Sequence, residues 1–203
     1  FLNMVVESVK DADTIVLCEG DDKLKDYFFE DLIQEYGTKA YYISNKYNQE
    51  DIGMNGKQRN FYLNYVKENF PDWWCLVLDF DEVIENLNEI KKFIQTAEPK
   101  LYSVKMRHLQ QDLSHEDATK ELHLVPNRLF KISEADKYPE VEHPVLYAKV
   151  DGNIGWTDCT TIWHLAYISN IWEIKKRYEN HLKKSNMHTP EYLKNWYFDP
   201  LVF

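Results

Sequence analysis

Five consecutive apolar residues, Trp74-Cys75-Leu76-Val77-Leu78, run without a break into the acidic cluster Asp79-Phe80-Asp81-Glu82. A run this short and this apolar predicts a strand buried on both faces and central in a sheet. The carboxylates then fall just past its carboxyl end, where open α/β sheets bind ligands. Carboxylates crowded there repel each other unless hydrogen bonds or a cation neutralise them. Mg²⁺ or Mn²⁺ suits such a place, because it takes one or two protein carboxylates and fills its shell with phosphate oxygens. A solvated acidic turn is the plain alternative.

The flanking pattern alternates strand and helix. Thr14–Cys18 reads as a buried strand, followed by a helix capped by Asp21 or Asp22, with the stripe Leu24, Tyr27, Phe28, Leu32 and Tyr36 and a stop at Gly37. Lys39–Ile43 is a second strand. A polar loop leads to a helix of about Lys57–Phe70, ended by Pro71, and another helix is expected from about Glu85 to Thr96. This order implies a parallel α/β sheet with right-handed crossovers. After Pro99 the spacing changes. Strands are expected at Leu101–Met106 and Asn127–Ile132 and in an apolar stretch ending at Thr161–His164, then a helix from Asn170 to about Lys184 and a last one from Thr189. With no repeat and no Pro/Gly-rich linker, residues 1–203 read as one domain.

The net charge of −10 comes without a basic block, which argues against nucleic acid as the main partner. A nucleotide stays compatible, since a bound cation offsets phosphate charge locally. The three cysteines, Cys18, Cys75 and Cys159, are far apart and odd in number, as expected of reduced thiols in a cytoplasmic protein. No apolar run reaches membrane-spanning length and no signal peptide is visible. Oligomeric state is not encoded in any pattern here.

Asp79-Phe80-Asp81-Glu82-Val83 after an apolar strand fits two enzyme classes. One is the phosphoaspartate (HAD-type) phosphatases, with Asp79 as nucleophile and Asp81 as general acid/base. The flanks favour the other. Gln58-Arg59-Asn60, the strand, and Leu78-Asp79-Phe80-Asp81-Glu82 together resemble the family 2 glycosyltransferases. Asp11–Asp22 looks like that family's second strand and acidic loop, with Glu19 where an Asp usually reads the nucleotide base. Pro126–Lys131 is similar to its Arg-Leu-Phe strand, and Trp163-His164 to a late metal-binding His. The resemblance spans about Ser8 to Tyr167.

It implies a GT-A type, Rossmann-like mixed sheet flanked by helices, with C-terminal helices. It implies a metal-dependent, inverting transfer from a nucleotide-diphosphate sugar to a carbohydrate or other hydroxyl acceptor. Asp79, Asp81 and His164 would hold the cation, and Glu19, Arg59, Asp79 and Arg128 the donor. The family's His-Glu pair appears reversed as Glu142-His143. Glu142, then His143, then Asp158 are the candidates for the base that takes the acceptor proton. Trp156 and Trp163 suit either a sugar face or the core. A first strand is expected ahead of the helix holding Val5, Val6 and Val9. A sugar- or nucleotide-binding module without catalysis is the third possibility.

Overall fold

The side chains of the run Trp74–Leu78 divide between two cores. Cys75 and Val77 pack with Leu63, Val66, Phe130 and Tyr138, whereas Trp74, Leu76 and Leu78 pack with Ile84, Ile90, Met106 and Ile162. Both faces of the strand are therefore covered, which is why the run is apolar at every position.

The computed structural model describes residues 2–20, 39–46, 54–110, 123–141, 144–167 and 179. The helix expected after Asp21, the candidate bases Glu142 and His143, and the C-terminal helices from Asn170 and Thr189 lie outside the described residues.

The chain begins with helix α1 (Leu2–Ser8) and strand β1 (Ile15–Glu19), followed by β2 (Ala40–Ser44) and helix α2 (Met54–Asn69). Then come β3 (Trp74–Leu76), β4 (Glu82–Ile84) and helix α3 (Leu87–Ile94). Long strands β5 (Leu101–Gln110), β6 (His123–Lys131) and β7 (Ile154–Tyr167) complete the described order. Asn86 caps α3, accepting from the Asn88 N–H, and Lys91 and Lys92 lie in its last turn, each as the helix dipole favours.

β1 and β2 form a two-stranded parallel sheet. The other strands form a five-stranded sheet in the order β3-β6-β5-β7-β4, in which β5 and β7 are the only described neighbours that pair parallel. The fold is thus mixed α/β. Among the described residues the wholly parallel sheet expected for the first half is not seen, and β3 lies at an edge rather than at the centre. Apolarity on both faces reported the two helical layers, not a neighbour on each side. β4 was not foreseen. It turns back from the acidic cluster to pair antiparallel with β7, setting Glu82 opposite His164.

β6 carries the feature that aims the site. Its pairing with β5 jumps from Tyr102↔Leu129 to Val104↔Val125, so Ser103 alone faces residues 126–128. Pro126, which has no N–H to give a ladder, and Asn127, at φ 56°, occupy this bulge. Asparagine tolerates the left-handed region, and the Asn127 side chain donates to the Leu146 carbonyl at 2.6 Å. The bulge re-aims the next residue, Arg128.

Candidate functional site

Residues 79–82 form a closed turn. The Glu82 N–H donates to the Asp79 carbonyl at 3.0 Å, and the Glu82 carboxylate accepts from the Asp79 N–H at 2.8 Å. Two arginines converge on this turn. Arg59, in α2, places Nη2 3.0 Å from both Asp79 oxygens. Arg128, beside the β6 bulge, reaches Asp79 Oδ2 at 2.8 Å and Glu82 Oε1 at 2.7 Å. Arg128 and Glu82 are buried. Among the described residues, Nη1 of Arg128 is a buried donor with no hydrogen-bond partner.

The charges sort by environment. Burial opposes ionisation of Asp79, but Arg128 and Arg59 outweigh it and hold the carboxyl well below the usual range. Burial pushes Glu82 the other way, to about 7, with Arg128 pulling it down and the charges of Asp79 and Asp81 adding to the rise. Near neutrality the turn therefore carries Asp79 as an anion against two guanidinium groups, with Glu82 near its titration point.

Asp81 points to the other side. His164 Nε2 lies 3.7 Å from Asp81 Oδ2, and the Leu165 N–H donates to the Asp81 carbonyl at 2.7 Å. Behind His164 stands His108, with the two Nδ1 atoms 2.8 Å apart, so that one ring supplies the proton the other accepts. His108 gave no sequence signal because β5 was expected to stop at Met106.

Asn60, the other half of the Arg-Asn pair, clamps the chain at Tyr138. Its Nδ2 donates to the Tyr138 carbonyl and its Oδ1 accepts the Tyr138 N–H, both at 2.8 Å. The Tyr138 ring lies 5.7 Å from the Arg59 guanidinium, and its hydroxyl accepts from Tyr62 at 3.0 Å. The Asn60→Ala substitution strands two half-buried backbone groups. It is expected to cost about 2–3 kcal/mol in urea denaturation, and a loss below about 0.5 kcal/mol would show the clamp to be solvated.

Glu19 closes β1, buried, and accepts from the Tyr42 hydroxyl. Gln58, next to Arg59, donates to Cys18 Sγ at 3.4 Å and accepts from Asn45 at 3.1 Å. The start of α2 thus touches the carboxyl ends of β1 and β2 through Gln58 and the end of β3 through Arg59. Arg59, Asp79, Asp81, Arg128 and His164 come together as one cluster, with Glu19 across the start of α2. Asp158 does not join them: it lies exposed in a bulge of β7, six residues along the strand from His164. Trp156 is 61% exposed, so it is no core residue, and Trp163 lies under Arg107 at 5.9 Å.

Among the described residues no group of three or more His, Cys, Asp or Glu side chains forms a metal cage. The expected metal ligands divide. Asp79 spends both oxygens on arginines, leaving Asp81 and His164 as the donor pair. None of the three cysteines forms a disulfide, and burial pushes the thiols of Cys18 and Cys75 up to about 12. No helix among the described residues is long and apolar enough to cross a membrane. No family model matches the chain, and no curated protein matches it in sequence.

Proposed function

We propose that the chain is a metal-dependent, inverting glycosyltransferase of GT-A type that takes its sugar from a nucleotide-diphosphate donor. The observation that carries this reading is the convergence of Arg59 and Arg128 on the end of β3, with a buried Arg128 donor left over. Two guanidinium groups in a partly desolvated pocket suit the oxygens of a diphosphate. Asp79 holds both arginines in place, and a protonated Glu82 leaves the pair a surplus of positive charge.

Asp81 and His164 would be the protein's ligands to a Mg²⁺ or Mn²⁺ ion, which would supply charge stabilisation for a leaving diphosphate. Arg59 and Arg128 orient the donor, and Glu19 faces the base. Transfer needs a carboxylate or imidazole to take the acceptor proton as the sugar carbon is attacked. Glu142 and His143 remain the first candidates. Asp158 falls behind them because of its place on β7. A cytoplasmic location goes with the three reduced thiols.

The phosphoaspartate alternative needs an Asp79 oxygen free to attack phosphorus. Arg59 engages both oxygens, so the same geometry disfavours it.

The test is a melting screen with Mn²⁺ and UDP, GDP or CDP. A matching nucleotide at about 100 times its Kd adds about 2.7 kcal/mol, or about 5–10 °C in a domain of this size. The shift is expected only with metal present and is expected to vanish in Asp81→Asn, whose melting without ligand stays within about 2 °C of the parent. A full shift in that variant would refute the assignment. Binding without hydrolysis or transfer of any sugar nucleotide would leave a non-catalytic module.

A further inference from the structure

His108 is a buried imidazole for which the proposed chemistry has no use. It is 4% exposed and stands on β5 between Met106 and Leu109, which are buried too. A polar ring is costly to bury in such a place unless its nitrogens are bonded.

Strand pairing sets it against His164. β5 and β7 run in register from Lys105↔Thr161 to His108↔His164, and a register shift stands at each end of that block. Residues paired across neighbouring strands share a face of the sheet, so the two rings meet. They stand at 87° to each other, with centroids 4.9 Å and Nδ1 atoms 2.8 Å apart. One proton therefore lies between the two nitrogens. The other nitrogen of His164, Nε2, faces Asp81 Oδ2 at 3.7 Å, which is too long for a hydrogen bond. The direction of the bond to His108 thus decides which nitrogen of His164 carries the proton.

We propose that His108 is a positioning residue for the cation site: its Nδ1 accepts the Nδ1–H of His164, so that His164 Nε2 keeps its lone pair toward Asp81.

This rests on the reading of Asp81 and His164 as the ligands of a divalent cation. An imidazole that gives one nitrogen to a cation carries its proton on the other, and an acceptor for that N–H fixes both the tautomer and the angle of the ring. A carboxylate is a common acceptor. An imidazole accepting at Nδ1 does the same work and adds no negative charge to a turn that already holds the carboxyl groups of Asp79, Asp81 and Glu82. In the reverse tautomers His164 accepts at Nδ1 and turns an Nε2–H toward Asp81, which leaves no lone pair for a cation there.

Tautomers and metal affinity are read separately. Long-range proton–nitrogen correlation spectra of the imidazole rings, recorded with Mg²⁺, are expected to show His164 protonated at Nδ1 and His108 at Nε2. The opposite pair of tautomers overturns the proposal. Affinity comes from the electron paramagnetic resonance signal of free Mn²⁺, titrated with protein and without nucleotide. His108→Leu is expected to lower it about 10–100-fold. His108→Asn, whose side-chain oxygen can accept at the place of Nδ1, is expected to recover most of that loss. In a His164→Ala background, His108→Leu is expected to cost nothing further, because His108 acts through His164. A parent that binds Mn²⁺, with His108→Leu binding it equally well, overturns this inference and leaves the cation site standing. Equal losses in His108→Leu and His108→Asn, or an undiminished loss in the His164→Ala background, assign the effect to packing and overturn it as well. A parent that does not bind Mn²⁺, or an Asp81→Asn variant that binds it as the parent does, refutes the cation site itself and this inference with it.

Discussion

Replacing Arg128 by Met is expected to lower the unfolding free energy by about 3–5 kcal/mol at pH 8, the usual effect of removing one partner from a buried ion pair. Arg128 is 8% exposed and Glu82 2% exposed, and the same guanidinium also reaches Asp79. Without it, Glu82 keeps the Asp79 N–H and loses its only described cation, while Asp79 keeps Arg59. Met fills most of the volume, so the lost stability is chiefly electrostatic. Urea denaturation measures it. A loss below about 1 kcal/mol would place these charges in solvent.

The sign of its pH dependence separates charge from packing. Glu82 is raised from 4.5 to about 7 in the folded state, so between those values the native protein binds a proton that the unfolded chain does not. Stability therefore falls as pH rises from about 4.5 to 7, by about 3 kcal/mol at about 1.4 kcal/mol per pH unit. Asp79 acts oppositely at the acid end: its contribution is present above the unfolded value of 3.8 and is lost as pH falls further. In Arg128→Met the pull that lowers Glu82 is gone, so its carboxyl stays protonated to higher pH. The deficit against the parent is then expected to be largest at pH 8 and to shrink by half or more at pH 5.5. A deficit that ignores pH would assign the cost to packing. Adding Glu82→Leu should restore much of the loss at pH 8 and none at pH 5.5.

The ion-pair cluster was legible in part because its members sit at element ends that periodicity marks. Arg59 opens a helix closed near Pro71, and Asp79 and Asp81 follow an unbroken apolar run. What they do to each other was not legible. That Asp79 would be held by two arginines depends on the β6 bulge, and a two-residue excess against β5 leaves no mark in a single strand's pattern. Glu82 looked like one more acid in a turn until β4 carried it under Arg128. The strands of the second half were located but shortened: β5 runs on to Gln110, past the expected Met106, and β6 begins at His123, ahead of the expected Asn127. The central place expected for β3 failed for a different reason. Apolar faces say what lies above and below a strand, whereas its neighbours are set by hydrogen bonds that side chains do not encode.

Gly56→Ala carries the second large effect, and its direction alone is informative. In an open helix interior this exchange stabilises by about 0.5–1 kcal/mol. Gly56 stands in the first turn of α2, where an added Cβ would meet Glu140 Cα at 2.7 Å, the Pro139 carbonyl carbon at 2.8 Å and the Pro139 oxygen closer still. All three are backbone atoms, so no side chain can swing aside. Either the start of α2 or the segment from Tyr138 to Glu140 must move. Asn60 ties them together at two points, and Arg59 projects between them to Asp79. The substitution is therefore expected to destabilise by about 3 kcal/mol or more, combining overpacking with loss of the clamp. It should also weaken the metal-dependent nucleotide shift, since Arg59 moves with its helix. The Asn60→Ala background supplies the decisive comparison. There the segment is already released, so adding Gly56→Ala should cost clearly less than it does alone. Full additivity, or a gain in stability from Gly56→Ala by itself, would mean that the loop does not press on α2 and that the helix start is held by Arg59 and Gln58 alone.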